Sequence, residues 1–301
     1  MAVTLHPQRI ALAHVLREPG GRPRLALLES VARERGSDAD ALARLRRSAG
    51  LQRYRCTTLM EPGAYQVVQV NAPAVPADEL ASALRWAVKD SLDFPAEQAI
   101  VDVLQVPSEG AVAGRPSLAF AVAARREKVA ERVQAFQRAG VRLKVIDIAE
   151  AAQRNVAALF EQPGRGLAML VLHDSGGLLS FTRDGELYAA RHIDIVPDAL
   201  AADADAERRA AAFERIGLEV QRSLDNFDRQ FSQVALQRVV VASTLGTHAL
   251  VNFLAQNLYL PVEAADLSTV MDSAAFPAFG ADLGEQARWL ATVGIALREA
   301  H

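Results

Sequence analysis

Apolar residues along the chain fall into short strand-like runs and into longer stretches with a helical step, and the changes between the two outline the elements. Residues 2–5, 10–15 and 25–31 are short apolar runs. His6-Pro7-Gln8-Arg9 and Glu18-Pro19-Gly20-Gly21-Arg22-Pro23 separate them, so the pattern predicts a three-strand meander. Residues 37–49 carry Leu42 and Leu45 at helical spacing, and strands are expected near 55–60 and 65–71. Pro76-Ala77-Asp78-Glu79 opens the clearest helix of this half, with Leu80, Leu84, Val88 and Leu92 in one apolar stripe. Phe94-Pro95 should close it, because a residue before proline avoids the helical region. Strands at 100–106 and 118–123 flank a proline- and glycine-rich loop at 107–116. A helix bearing Val129, Val133 and Phe136 stops at Gly140, and a strand at 143–148 and a helix at 150–160 complete the half.

Gln162-Pro163-Gly164-Arg165-Gly166 reads as a linker, after which the pattern starts again. Strands are predicted at 167–172, 178–182 and 186–195, the last two joined by a tight turn at Arg183-Asp184-Gly185. A long helix over 206–231 carries Ile216, Val220, Leu224, Phe227 and Phe231. Strand 238–242, helix 247–258, strand 261–265 and helix 284–298 follow. Each half therefore opens with a meander and continues with alternating helices and strands. That is an α/β chain with a mixed sheet and helices on both faces, built twice. The expected division is a first domain at 1–161, a second at 167–283, and a last helix within 284–301 packing back on the first.

Composition narrows the function classes. Half of the 301 residues are hydrophobic and 23% are charged, which excludes a disordered or fibrous chain. A net charge of −3 gives no global field for nucleic acid. Cys56 is the only cysteine, so neither a disulfide framework nor a thiolate zinc site is available, and in a strand it is expected as a buried, inert thiol. Only Lys89, Lys128 and Lys144 are lysine, which limits any Schiff-base or phosphate-loop chemistry. The longest apolar run, 166–172, is strand-sized and the N-terminus has no signal-like segment, so the expectation is a soluble, cytosolic protein.

Few residues carry chemistry on their own. His173 beside Asp174 is either a base or ligand pair or, lacking a third ligand, a histidine at a strand end. His192 alternates outward in its strand, and Ser175-Gly176-Gly177 lacks the strand–serine–helix context of a hydrolase elbow. Trp86 lies between the stripe residues Leu84 and Val88 and must point partly off the stripe. It is either a flank packed on the neighbouring sheet or, with Arg85 and Lys89, the wall of a groove for an extended peptide.

Several strings, in order, resemble the PilM family of type IV pilus assembly proteins. They are Leu84-Arg85-Trp86 with Leu92-Asp93-Phe94-Pro95, Val145-Ile146-Asp147-Ile148, Arg183-Asp184-Gly185-Glu186-Leu187 with Arg191-His192-Ile193, and Glu219-Val220-Gln221-Arg222-Ser223-Leu224-Asp225. Pro261-Val262-Glu263 and Gly294-Ile295-Ala296-Leu297-Arg298 extend the likeness over roughly residues 2–298. Compact length and Arg53-Tyr54-Arg55-Cys56-Thr57-Thr58-Leu59 are similar to the branch serving the mannose-sensitive haemagglutinin pilus. The resemblance implies an actin-like fold of two RNase H-like domains facing a cleft, with an inserted subdomain at about 57–106. It implies a scaffold at the cytoplasmic face of the inner membrane, peripheral through its partner, the cytoplasmic tail of a PilN-like single-pass membrane protein. The assembly ATPase is a further partner, and nucleic acid is not one. Proximity to a bilayer gives Arg44, Arg46, Arg47, Arg53 and Arg55 two readings, an anionic-lipid patch or a solvated helix face.

The same resemblance bears on ATP. Actin-like ATPases hold phosphates between two hairpins, and the family's first hairpin reads Asp-Ile-Gly followed by small hydroxyl residues. Here it is His6-Pro7-Gln8-Arg9, in which Pro7 also removes an N–H donor. The second keeps Asp174, Ser175, Gly176 and Gly177, but the family's acidic position falls on Val171. The adenosine loop reads Ala242-Ser243-Thr244-Leu245-Gly246, with one glycine. The expectation is a vestigial nucleotide cleft at Asp174, Ser175, Gly176, Gly177, Ser243 and Gly246, with no catalytic residue, no metal site, and ATP with Mg²⁺ disfavoured. The rival readings are an active actin-like ATPase or sugar-kinase-like enzyme, and a recruiter of the secretion ATPase resembling GspL.

Overall fold

The computed structural model describes residues 1–17, 20–33, 36–107, 117–173, 176–195 and 197–298. The meander forms β1 (Ala2–Leu5), β2 (Arg9–Leu16) and β3 (Arg24–Ala32), and α1 spans Asp38–Ser48. Helix α1 starts where it does because Ser37 and Asp40 make a reciprocal cap. The Ser37 hydroxyl accepts the Asp40 N–H at 3.2 Å, and the Asp40 carboxylate accepts the Ser37 N–H at 3.3 Å. Then come β4 (Cys56–Leu59), β5 (Tyr65–Asn71), α2 (Ala77–Ala87), β6 (Ala99–Gln105) and β7 (Leu118–Arg125). Helix α3 (Arg126–Arg138), β8 (Leu143–Asp147) and α4 (Ala149–Ala157) follow.

The second half repeats the scheme with β9 (Gly166–His173), β10 (Gly176–Arg183), β11 (Glu186–Ile193), α5 (Ala206–Gln230), β12 (Leu236–Ser243), α6 (Thr247–Asn257) and β13 (Val262–Ala264). Asp184 and Gly185 both have positive φ, 53° and 77°, which is the mirror-image turn that suits a two-residue hairpin. Two short-linked helices close the chain, α7 (Pro277–Ala281), which the hydrophobic pattern does not reveal, and α8 (Leu283–Ala296). Two five-stranded sheets have the same order, β3-β2-β1-β4-β8 and β11-β10-β9-β12-β13. In the second, β9, β10 and β11 are antiparallel neighbours while β12 and β13 add in parallel.

By its contacts the chain forms two compact units. The first comprises Met1–Thr4, Ile10–Val31 and Ala149–His301. Its core lies on one face of the second sheet, where Leu167, Met169 and Val171 meet Val156 and Ala157 of α4 and Trp289, Leu290 and Val293 of α8. The backbones of α4 and α8 touch, since a Cβ on Gly294 would stand 2.2 Å from the Ala152 carbonyl oxygen. Asn155 donates to the Gly294 carbonyl at 2.9 Å, and the Thr4 and Thr292 hydroxyls are 2.7 Å apart. On the other face α5 stacks Phe227 on Phe181, ring centroids 4.5 Å apart.

The second unit comprises Leu5–Arg9 and Ala32–Ile148. It contains the parallel pair β4 and β8 and a three-stranded antiparallel sheet, β5-β7-β6, which extends past residue 106 to take in β7. Helix α2 covers one face of this small sheet with Leu80, Leu84 and Val88 on Ala119 and Ala121. The stripe expected to run on to Leu92 leaves the helix early. Lys89–Ser91 tighten into a 3-10 turn and Leu92 is extended, although its side chain still packs on the same core. Asp90 and Ser91 compete for backbone hydrogen bonds and are poor at continuing a helix.

Candidate functional site

The outer face of α2 is set by its inner one. With Leu84 and Val88 fully buried, the residues between them turn outward, and Trp86 is 53% exposed. Arg85 is half-buried and Lys89 exposed. Arg85 and Trp86 thus sit in the last turn of α2 and Lys89 in the 3-10 turn that follows it, next to a helix held by its apolar side. Just beyond, the Arg125 guanidinium lies 4.4 Å from the Phe94 ring centroid and pairs with Asp93 at 3.2 Å, which anchors the Phe94-Pro95 turn.

The turns named for a nucleotide use their polar groups internally. In the first unit the Ser243 hydroxyl donates to the Leu245 carbonyl at 2.5 Å, and the Thr247 hydroxyl donates to the Ser243 carbonyl at 2.8 Å. Gly246 is left-handed, φ +66°, and a Cβ there would stand 2.4 Å from the Leu200 carbonyl oxygen. Gly177 is a packing glycine inside β10, where a Cβ would meet Leu172 at 2.8 Å and Ile195 at 3.2 Å. Gly176 pairs with His173 across the β9–β10 turn. Asp174 and Ser175 lie outside the described residues. Val171 is buried in the core cluster. In the second unit the His6 N–H donates to the Arg9 carbonyl at 2.8 Å, and Arg33 clasps the turn from outside. Its backbone N–H donates to the Gln8 carbonyl at 2.8 Å and its guanidinium to the His6 carbonyl at 3.1 Å, while also pairing with Asp38.

No protein-family model matches the chain, and no curated protein sequence matches it. Solved structures do. The PilM-PilN type IV pilus biogenesis complex matches over 98% of this chain and 97% of that one, with a TM-score of 0.77 at 19% identity. A Bacteroides thetaiotaomicron protein of actin-like ATPase fold matches over 95% and 93%, with a TM-score of 0.50 at 10% identity. The fold is actin-like. The cytoplasmic domain of EpsL, an inner-membrane component of the Vibrio cholerae type II secretion system, matches over 81% and 82%, with a TM-score of 0.48 at 14% identity.

Pro7 has no N–H, the His6 N–H and the Ser243 hydroxyl are already spent, and the Gly177 site is filled by leucine and isoleucine side chains. Among the described residues no group of three or more His, Cys, Asp or Glu could hold a metal ion.

Sequence reasoning missed a polar cluster in the first unit. Glu150 opens α4 almost fully buried, with its Oε1 2.9 Å from Nε2 of His192, whose side chain is largely exposed. The hydrogen bond to Glu150 raises the His192 pKa above its ordinary value, against the opposing effect of burial. One helical turn on, the Gln153 amide donates to the Met169 carbonyl at 2.8 Å and to the Ser180 hydroxyl at 2.9 Å. These pairings join residues 16 to 42 positions apart, and no local motif announces them. Cys56 is buried, and desolvation pushes its thiol up to about 11.

Proposed function

We propose that this chain is a PilM-like scaffold of a type IV pilus assembly platform, of the MshI type, that docks the cytoplasmic tail of a PilN-like single-pass membrane protein and does not hydrolyse ATP. The observation that carries the proposal is the likeness to the PilM-PilN complex over nearly the whole of both chains. The exposed Trp86 supports it, because a tryptophan on a helix held rigid from below is a costly thing to leave in water unless a partner covers it. In the proposed mode an extended tail lays an apolar side chain on the Trp86 ring, while Arg85 and Lys89 take its carbonyl or acidic groups. No bond is broken; the chain positions its partner, and contact with the assembly ATPase would follow from that placement.

Among the described residues no helix is long and apolar enough to cross a membrane, which suits an anchor supplied by the partner. The spent donors at the His6 and Ser243 turns support the non-hydrolytic reading over an active actin-like ATPase. The test is retention of the chain by a tagged, detergent-solubilised PilN-like protein, run beside the isolated assembly ATPase. The proposal expects retention by the first that Trp86→Ala abolishes, with no phosphate release from Mg²⁺-ATP. Retention by the ATPase alone, or sustained ATP turnover, would overturn it.

A further inference from the structure

The basic residues of the second unit divide into two populations. Toward the amino-terminal side of α1 and α3 three cations have a carboxylate: Arg33 pairs with Asp38, Lys128 with Glu131 at 2.9 Å, and Arg132 with Glu61 at 2.6 Å. At the carboxyl-terminal side the composition changes. Residues 41–60 contain five arginines and no acidic residue, and residues 133–146 contain two arginines and one lysine and again no acidic residue.

The fold joins these two stretches. Helix α1 ends with Arg46 and Arg47 in its last turn and α3 ends with Arg138, and the strands that follow them, β4 and β8, start side by side at Cys56 and Leu143. The Arg142 guanidinium donates to the Gln52 carbonyl at 2.8 Å, and the Cys56 N–H donates to the Arg142 carbonyl at 2.8 Å. The Arg46 guanidinium lies 3.4 Å from where a Cβ on Gly140 would stand. The result is one pole with Arg44, Arg46, Arg47, Arg53, Arg55, Arg138, Arg142 and Lys144, every one of them exposed. Among the described residues none of Arg46, Arg47, Arg53, Arg138 and Arg142 has a carboxylate within ion-pair distance.

We infer that this pole rests on an anionic phospholipid surface. With no Asp or Glu in residues 41–60 and 133–146, the cations gathered at this pole of the second unit present a positive surface to a planar negative one. No exposed aromatic ring stands at the pole to stack a base, since Tyr54, the one aromatic between Arg53 and Arg55, is half-buried. The choice of lipid rests on the reading of the chain as partner of a membrane protein; the pole itself does not.

The experiment is co-sedimentation of the full chain with phosphatidylcholine vesicles, with and without about a third phosphatidylglycerol, at two salt concentrations. Binding is expected only to the anionic vesicles and should fall with salt. Replacing Arg46, Arg47 and Arg53 by Glu should lower the partition coefficient at least about a hundredfold, at about fivefold per charge. Replacing Arg126, Arg208 and Arg229 by Glu, an equal charge change elsewhere, should cost far less. Circular dichroism of both variants separates lost binding from lost folding. Equal binding to neutral and anionic vesicles, no binding to either, or equal loss in the two variants overturns the inference. So does tighter binding to a DNA or RNA oligonucleotide through the same arginines. PilN-like capture in detergent is read separately, so either idea can fail alone.

Discussion

Gly246 has the Leu200 carbonyl oxygen standing 2.4 Å from where a side chain would begin, and its φ of +66° already disfavours any residue with a Cβ. Gly246→Ala should therefore destabilise the protein by roughly 2–4 kcal/mol, measured by urea unfolding. The glycine was legible in the sequence, but its reason was not, because the obstructing carbonyl belongs to a turn 46 positions earlier. His192 gives a prediction with a sign. Its folded pKa is raised, so the stability it contributes is complete below the ordinary value of 6.5 and is lost as pH rises through the higher folded value. His192→Gln should accordingly cost more at about pH 5.5 than at about pH 9, as read by chemical denaturation at the two values. Cys56, buried with its thiol raised to about 11, should resist alkylation at about pH 8 until denaturant opens the fold, as mass spectrometry would show.

At the scale of an element, helix α2 has one face that packs and one that does not. Leu84 is fully buried on Ala119 and Ala121, so Leu84→Ala should cost about 2–5 kcal/mol. Trp86, half a turn away, is 53% exposed, so Trp86→Ala should change stability by less than about 1 kcal/mol and leave only binding to report on. The elements most visible in the sequence were those with strong local signals. The Asp184-Gly185 turn and the stripe of α5 are of that kind. What stayed hidden was set by tertiary packing. Leu92 keeps its core contact from a loop, and the α4–α8 approach at Gly294 depends on a backbone carbonyl far away in sequence. Sheet membership behaved similarly, since β7 joins the small sheet from beyond residue 106, and most of the loop expected at 107–116 lies outside the described residues.

Over the whole molecule, the repeated strand order β3-β2-β1-β4-β8 and β11-β10-β9-β12-β13 was foreshadowed by a meander followed by alternating elements in each half. Strand order itself was beyond the sequence pattern, because pairing depends on which edges the crossovers reach. The candidate site was legible only as a grouping of residues. Arg85, Trp86 and Lys89 could be grouped from helical spacing, whereas the closure of the His6 turn by Arg33 required the fold. The central claim is that this chain docks a membrane protein's tail through the Trp86 face. Calorimetric titration of the purified chain with a peptide of the PilN-like protein's cytoplasmic tail tests it most directly. The account predicts saturable one-to-one binding, weakened about tenfold or more by Trp86→Ala. No heat of binding, or binding that Trp86→Ala leaves unchanged, would contradict it.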